Sequence, residues 1–270
     1  MTRFSVSCPV IASICLAAFG AAPCAQQAPA DPHAVQPERP TVATHAGTVA
    51  AGWLEIEAGG EFDRYADRTD GLAMPILFKV GLAPRLQLSV QMPVAGPAGG
   101  STGFGDLSVG VKWRLATGAS VVGDFAVQPG IKVPTGSAAS LTGTGTTDVS
   151  LLVISSHAFG PVAVDLNVGY TRRGGDGTLT PRDASVWTAS FGGPWRGRAG
   201  WAAEVYGYPR TSGPAGAASI VAVLVGPTWL VRRWLVLDGG VIVPVTGPQP
   251  RAVYAGLTYN VGRLWPAPAR

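Results

Sequence analysis

Lysine is almost missing from this chain. Three lysines (Lys79, Lys112, Lys132) stand against 17 arginines, and charged residues make up 13% of 270, about half the usual share for a soluble globular domain. The formal net charge of +4 comes without a basic run, so an electrostatic footprint for nucleic acid is excluded. Cysteine is equally scarce. Cys8, Cys15 and Cys24 all lie within the first 25 residues, so a chain cut after Ala25 would hold none and would have neither disulfides nor thiol chemistry. A long hydrophobic run is also lacking. The longest, residues 217–231, is interrupted by Gly226 and Pro227 and is shorter than the ~20 residues a spanning helix requires. Histidine occurs three times (His33, His45, His157) with no metal-ligand spacing.

What is present points to export and to strands. Arg3, the apolar stretch 10–20 and the small residues 21–25 have the layout of a secretory signal peptide, predicted over residues 1–25. Residues 26–47 are rich in Pro, Ala and Gln and read as an extended periplasmic segment. Hydrophobic residues reach 47%, alongside 37 glycines and 23 prolines, which suits many turns better than disorder. From residue 48 to 265 the dominant period is two. The clearest pair joins residues 72–82 and 86–92 across a turn at 83–85, predicting Leu82/Leu86, Val80/Leu88, Phe78/Val90 and Ile76/Met92 on one apolar face, with Lys79, Gln87, Ser89 and Gln91 on the other.

The alternation recurs in residues 106–115, 121–133, 149–153 and 162–170, and more weakly through 184–191, 199–208, 218–229, 235–245 and 252–261. With 53–62 this gives about twelve strands. Short connections (83–85, 116–118, 159–160, 193–196, 231–233) alternate with longer ones (63–70, 95–102, 134–145, 174–182, 209–215, 246–250). Together these predict an all-β fold, an antiparallel transmembrane β-barrel with short periplasmic turns and longer extracellular loops. Closed barrels and helices are the two structures that satisfy every backbone polar group in lipid. Placed by strand direction, seven tryptophans fall toward the periplasmic ends and five tyrosines (Tyr65, Tyr170, Tyr206, Tyr208, Tyr254) toward the outer ends, as two interfacial girdles would.

Several blocks carry a family resemblance. Glu38-Arg39-Pro40 precedes the strand of residues 52–59; residues 103–115 (GFGDLSVGVKWRL) form the most recognisable strand; Lys132-Val133-Pro134-Thr135-Gly136 and Gly145-Thr146-Thr147-Asp148 follow in register. These resemble the outer-membrane transporter family of the MetA pathway of phenol degradation, over most of the segment after residue 25. The resemblance implies uptake of small compounds and supplies no catalytic residues. The chain departs from many outer-membrane barrels in placing Pro266-Ala267-Pro268-Ala269-Arg270 after Trp265 rather than ending on an aromatic residue.

A lysine or arginine on the lipid face costs about 2–4 kcal/mol at the midplane, so the polar phase predicts the lumen. Its candidate lining residues are Lys79, Asp106, Lys112, Arg114, Asp124, Lys132, Asp148, Asp165, Glu204 and Asp238, joined by Glu55 and Glu57. A tight turn at 116–118 would set Lys112 diagonal to Asp124. Leu152 and Ile154 share the phase of Asp148, predicting a partly apolar lumen. No Ser/His dyad with an orienting group is discernible, and the glycine pairs lie in loops, so neither an enzyme nor a bound cofactor is expected. The expected partners are outer-membrane lipid, a small-molecule solute and the barrel-assembly machinery. The predicted function is passive uptake of small hydrophobic or aromatic compounds. The alternatives are a structural or adhesive barrel with a blocked lumen, and a secreted soluble β-sandwich that binds a ligand.

Overall fold

The computed structural model describes residues 31–175, 181–212 and 218–266; the predicted signal peptide lies outside them. Its ladder segments are β1 (Trp53–Arg64), β2 (Asp70–Met74), β3 (Ile76–Ala83), β4 (Leu86–Gln91), β5 (Val94–Gly96), β6 (Gly103–Phe104), β7 (Leu107–Ala119) and β8 (Gly123–Val133). They continue as β9 (Asp148–Phe159), β10 (Val162–Arg172), β11 (Asp183–Arg196), β12 (Ala199–Tyr208), β13 (Ile220–Arg232), β14 (Leu235–Thr246) and β15 (Arg251–Arg263). Three pairs are halves of single wall strands. β2 and β3 part at Pro75, β4 and β5 at Met92-Pro93, and β6 and β7 at Gly105-Asp106; at the first two the proline withholds the N–H that a ladder needs. The wall therefore has twelve strands, each antiparallel to its neighbours. β15 returns to β1 from Trp53↔Arg263 to Arg64↔Arg251, closing the barrel.

Period two becomes an inside-out burial pattern. β15 alternates exposed and buried along most of its length, and large apolar side chains face outward, including Val168 (62% exposed) and Trp195 (77%). Meanwhile Lys79, Lys112 and Glu55 are each 0% exposed. A soluble sandwich has the reverse arrangement, with apolar residues in the core and charges in water. The connections follow the predicted asymmetry. One end carries tight turns, such as Pro84-Arg85 with Arg85 at φ 69; the other carries the longer loops.

Hairpin details shift from the expected register. Val80↔Leu88 and Phe78↔Val90 hold, but a register shift between Gly81 and Ala83 pairs Leu86 with Ala83 rather than Leu82. β7 runs on to Ala119, two shifts beyond Arg114, so Lys112 is not brought onto Asp124. β11 likewise continues through the expected turn at 193–196 and reverses at Gly197-Arg198.

Residues 31–50 differ most from expectation. Instead of lying outside the wall, they fold into the barrel from the turn end and run along its inner surface as a plug. Val35 N–H donates to Arg233 O near that end (2.9 Å), and Gly52 N–H to Gly81 O where the segment leaves (2.7 Å). The plug has no sequence period because it pairs with side chains rather than with a ladder.

Candidate functional site

Inward-facing side chains fix the plug by accepting its backbone N–H groups. Glu55 accepts from Gln36 (2.8 Å), and Glu57 from Glu38 (2.8 Å) and Arg39 (3.0 Å). Glu204 accepts from both Val42 and Ala43 at 2.7 Å, Asn167 from Thr44 at 2.8 Å, Ser156 from Ala46 at 2.8 Å, and Gln87 from Val49 at 2.9 Å. An irregular segment must place its donors somewhere, and here side chains of five wall strands (β1, β4, β9, β10 and β12) receive them.

Charge locks the same interface. Lys79 Nζ lies 2.7 Å from Glu55 and 2.5 Å from Glu57, and donates to Gln36 O. Lys112 Nζ lies 2.5 Å from Glu38 and donates to Thr44 Oγ1 (2.8 Å) and His45 O (2.9 Å). Arg39 reaches Asp238 at 3.1 Å. Buried charges persist only when paired and hydrogen-bonded; Lys112 meets that condition through the plug, and Lys79 through Glu55 and Glu57 of the wall together with Gln36 O of the plug.

Two titrating groups sit in the plug rather than in a spanning strand. Burial alone would raise the Glu38 carboxyl, but the ammonium groups of Lys112 and Lys79 outweigh it and hold Glu38 well below its ordinary value of 4.5. Burial, with Lys112 beside it, pushes the His45 imidazole down from 6.5 to about 3. Both depressions give the same sign. A released plug binds a proton on His45 below about pH 6.5 and on Glu38 below about pH 4.5, where the docked plug resists both. Docking thus weakens as pH falls, and open-channel events in planar bilayers should become more frequent from pH 7 to pH 4. An unchanged or falling open probability over that range would contradict the linkage.

Near the loop end a second cluster forms around Lys132. It lies 2.8 Å from Asp106 and 3.2 Å from Asp148, and also donates to Thr144 Oγ1 and Thr146 O. Asp106 in turn accepts from the Gly136 and Thr144 N–H groups, so the pair clamps the 134–147 loop to the wall. Beside it lies a cavity of about 360 Å³, walled by Ser89, Gln91, Gln128, Lys132, Ser150 and Leu152. A neighbouring cavity of about 280 Å³ shares Lys132 and Asp148 and reaches Tyr208. Tyr208 packs on a buried apolar cluster of Tyr206, Leu224, Ile242 and Tyr254, together with Ala222 and Ala252.

The predicted site residues are therefore divided. Lys79, Lys112, Glu204 and Asp238 bind the plug, and Lys132, Asp106 and Asp148 hold the loop. Asp165 accepts from Ser156 Oγ at 2.5 Å. Asp124 accepts the Gly118 N–H at 2.7 Å and lies within electrostatic reach of Arg114. The expected Lys112–Asp124 proximity gives way to Lys112–Glu38 because the β7–β8 hairpin is longer than a 116–118 turn allows. Ile154 faces inward as its phase predicts, but is covered by Ala46 of the plug. Tyr206 (3% exposed) and Tyr254 (7%) do not belong to an outer girdle; with Tyr208 they line the interior, because strand-end placement fixes height and not face. Sequence reasoning missed Glu38, Gln87 and Asn167 as plug anchors. The available signal was Glu38-Arg39-Pro40, a charged pair in a segment whose one other formal charge is Asp31.

His157 Nε2 and Ser155 Oγ are 2.9 Å apart. Ser155 also donates to Val122 O at 2.8 Å, which commits its proton and leaves the imidazole to act as donor. That is the wrong polarity for an activated nucleophile.

The geometry agrees with comparisons to known proteins. The COG4313 outer membrane channel from Pseudomonas putida F1 superposes with a TM-score of 0.59 at 12% identity, covering 79% of this chain and 97% of that one. The KdgM porin in complex with disordered oligogalacturonate gives 0.54 at 13% identity (76% and 98% covered), and the NanC porin 0.51 at 10% identity (76% and 98%). Identities this low establish a shared outer-membrane barrel fold alone. Among curated proteins none matches this chain in sequence. Residues 38–261 match the family model described as "Putative MetA-pathway of phenol degradation". That span includes the plug anchor Glu38 and almost the entire closed wall, and the chain belongs to this family.

Proposed function

We propose that the protein is an outer-membrane channel for passive entry of small hydrophobic or aromatic compounds, with its short turns in the periplasm. The carrying observation is the loop-side lumen, where a cavity of about 360 Å³ adjoins one of about 280 Å³ lined by Tyr208, and Tyr208 packs on a buried apolar cluster of Tyr206, Leu224, Ile242 and Tyr254. An aromatic wall of this kind offers a small apolar solute an environment that water does not. The plug removes the wide aqueous path of a general porin, and the mixed charges of Lys132, Asp106 and Asp148 give little reason for ion selectivity. Export through a signal peptide, membrane insertion by the barrel-assembly machinery and the absence of catalysis belong to the same reading.

A closed barrel acting through its loops is the second reading, favoured by the number of side chains that bind the plug. Uptake of radiolabelled toluene at low concentration by deletion and complemented cells separates the two. A channel predicts slower initial uptake in the deletion strain, restored by the wild-type gene and poorly restored by Tyr206→Asp, which sets a charge in the apolar cluster. Equal uptake by the deletion and complemented strains would favour the closed barrel.

A further inference from the structure

Arginines at the two ends of the barrel have different partners. At the loop end Arg64 pairs with Asp70 (2.5 Å) and Arg172 with Asp183 (2.7 Å). Around the turn end stand six exposed arginines, Arg85, Arg196, Arg198, Arg232, Arg233 and Arg263. Among the described residues one carboxylate pairs with this collar, Asp31 on Arg233 at 3.1 Å. Two of the cations converge: Arg198 Nη1 and Arg232 Nη1 donate to the same oxygen, Val231 O, at 3.3 and 2.9 Å. Two guanidinium groups sharing one neutral carbonyl leave their positive charge uncompensated, with further N–H donors in the planar forks that suit phosphate.

Immediately above, on the outside of the wall, lies a groove of about 550 Å³ lined by Trp195, Ala199, Pro227, Trp229 and Leu237. It arises where the β13–β14 ladder is interrupted. Val225 pairs with Val241 and Thr228 with Asp238, while Gly226-Pro227 and Gly239-Gly240 bring no bulky side chain between them. Trp195 (77% exposed) and Trp229 (50%) stand at its sides, in the interfacial position where indoles favour the boundary between hydrocarbon and headgroups.

A cationic pair below an apolar, lipid-facing groove matches one molecule in its surroundings. We propose that this corner of the wall binds an anionic glycerophospholipid from the leaflet around the turn end, its phosphate held between Arg198 and Arg232 and an acyl chain laid between Trp195 and Trp229. The zwitterionic lipids of the same leaflet carry an ammonium that offsets the phosphate charge, so the site selects net negative headgroups. The site is on the outer surface, apart from the plug and the lumen, and does not depend on what the channel carries.

Native mass spectrometry of the full barrel released from detergent, titrated with phosphatidylglycerol and with phosphatidylethanolamine, tests this directly. The expected result is about a 25-fold preference for phosphatidylglycerol, from two surface arginines each contributing roughly a factor of five. Arg198→Gln/Arg232→Gln should abolish that preference, whereas Arg64→Gln/Arg172→Gln at the loop end should retain it. Unheated gel mobility verifies that each variant is a folded barrel. A second readout is quenching of tryptophan fluorescence by phosphatidylglycerol with brominated acyl chains, which should fall in the Arg198/Arg232 variant. Equal binding of the two lipids by the wild-type protein, or a folded double variant that keeps the preference, would overturn the proposal and leave the collar to a soluble acidic partner.

Discussion

Lys112→Met is expected to free the plug while leaving the wall intact. The substitution removes the ammonium 2.5 Å from Glu38 and its bonds to Thr44 Oγ1 and His45 O. The Glu38 carboxylate then retains an Nε2–H bond from Gln87 at 3.1 Å and the distant Lys79 ammonium at 3.9 Å. Removing one member of a buried ion pair costs about 3–5 kcal/mol, and these remaining partners place the loss at the low end. The whole cost falls on docking, because the β7 ladder to β4 and β8 uses backbone groups that the substitution leaves in place. Ala46 is 0% exposed and provides the reporter. In a protein lacking residues 1–25, which carries no other cysteine, an Ala46→Cys thiol should react with maleimide roughly a hundredfold faster once ~3 kcal/mol of docking is lost. Adding Glu38→Gln should recover much of the protection, since the uncompensated charge is then gone. Unaltered labelling in Lys112→Met would show that the plug N–H bonds accepted by Glu204, Asn167, Ser156 and Gln87 suffice to hold the plug.

An arginine at Val168 should be among the most damaging single changes to the wall. Val168 lies near the middle of β10, 62% exposed, between Val153 on β9 and Trp187 on β11. Its exposure is to hydrocarbon, and a charge at that depth costs about 2–4 kcal/mol. Gln91 provides the control, because it too is exposed in the isolated chain but lines the lumen cavity. Reversible urea unfolding in lipid vesicles should place Val168→Arg well below wild type and Gln91→Arg close to it. Equal penalties at the two positions would contradict the assigned faces. The comparison isolates lipid from water, since solvent exposure of the protein alone does not distinguish the two sites.

Much of the wall is legible residue by residue. The side chains of a strand alternate strictly, so the position of Lys79 between Phe78 and Val80 already assigns a face, and the same parity assigns Lys112, Asp148, Asp165 and Glu204. Ladder offsets are less legible, because a bulge adds a residue without altering the apolar pattern on either side of it. The shift beside Gly81 moved one expected pair, and the longer β7–β8 hairpin removed Lys112 from Asp124. Tyr206 and Tyr254 show a different limit. Each lies at the height of a membrane interface, but faces the lumen because its neighbours in the sequence face outward.

The sequence by itself determined that the chain forms paired strands, that they number about twelve, which side chains share a face, and that the face bearing charge is the enclosed one. All of these follow from local rules: period two, proline and glycine at connections, and the cost of a charge in hydrocarbon. The tertiary structure alone decided what the enclosed charges do. Glu38 meets Lys112 across 74 positions of chain, and Arg39 meets Asp238 across 199, only after β15 closes on β1 and an aperiodic segment folds into the space within. No period in the segment records that destination, because its N–H groups are satisfied by side chains from five different strands. The near absence of lysine noted at the outset acquires its meaning there: two of the three lysines hold the plug, and the third clamps a loop above it.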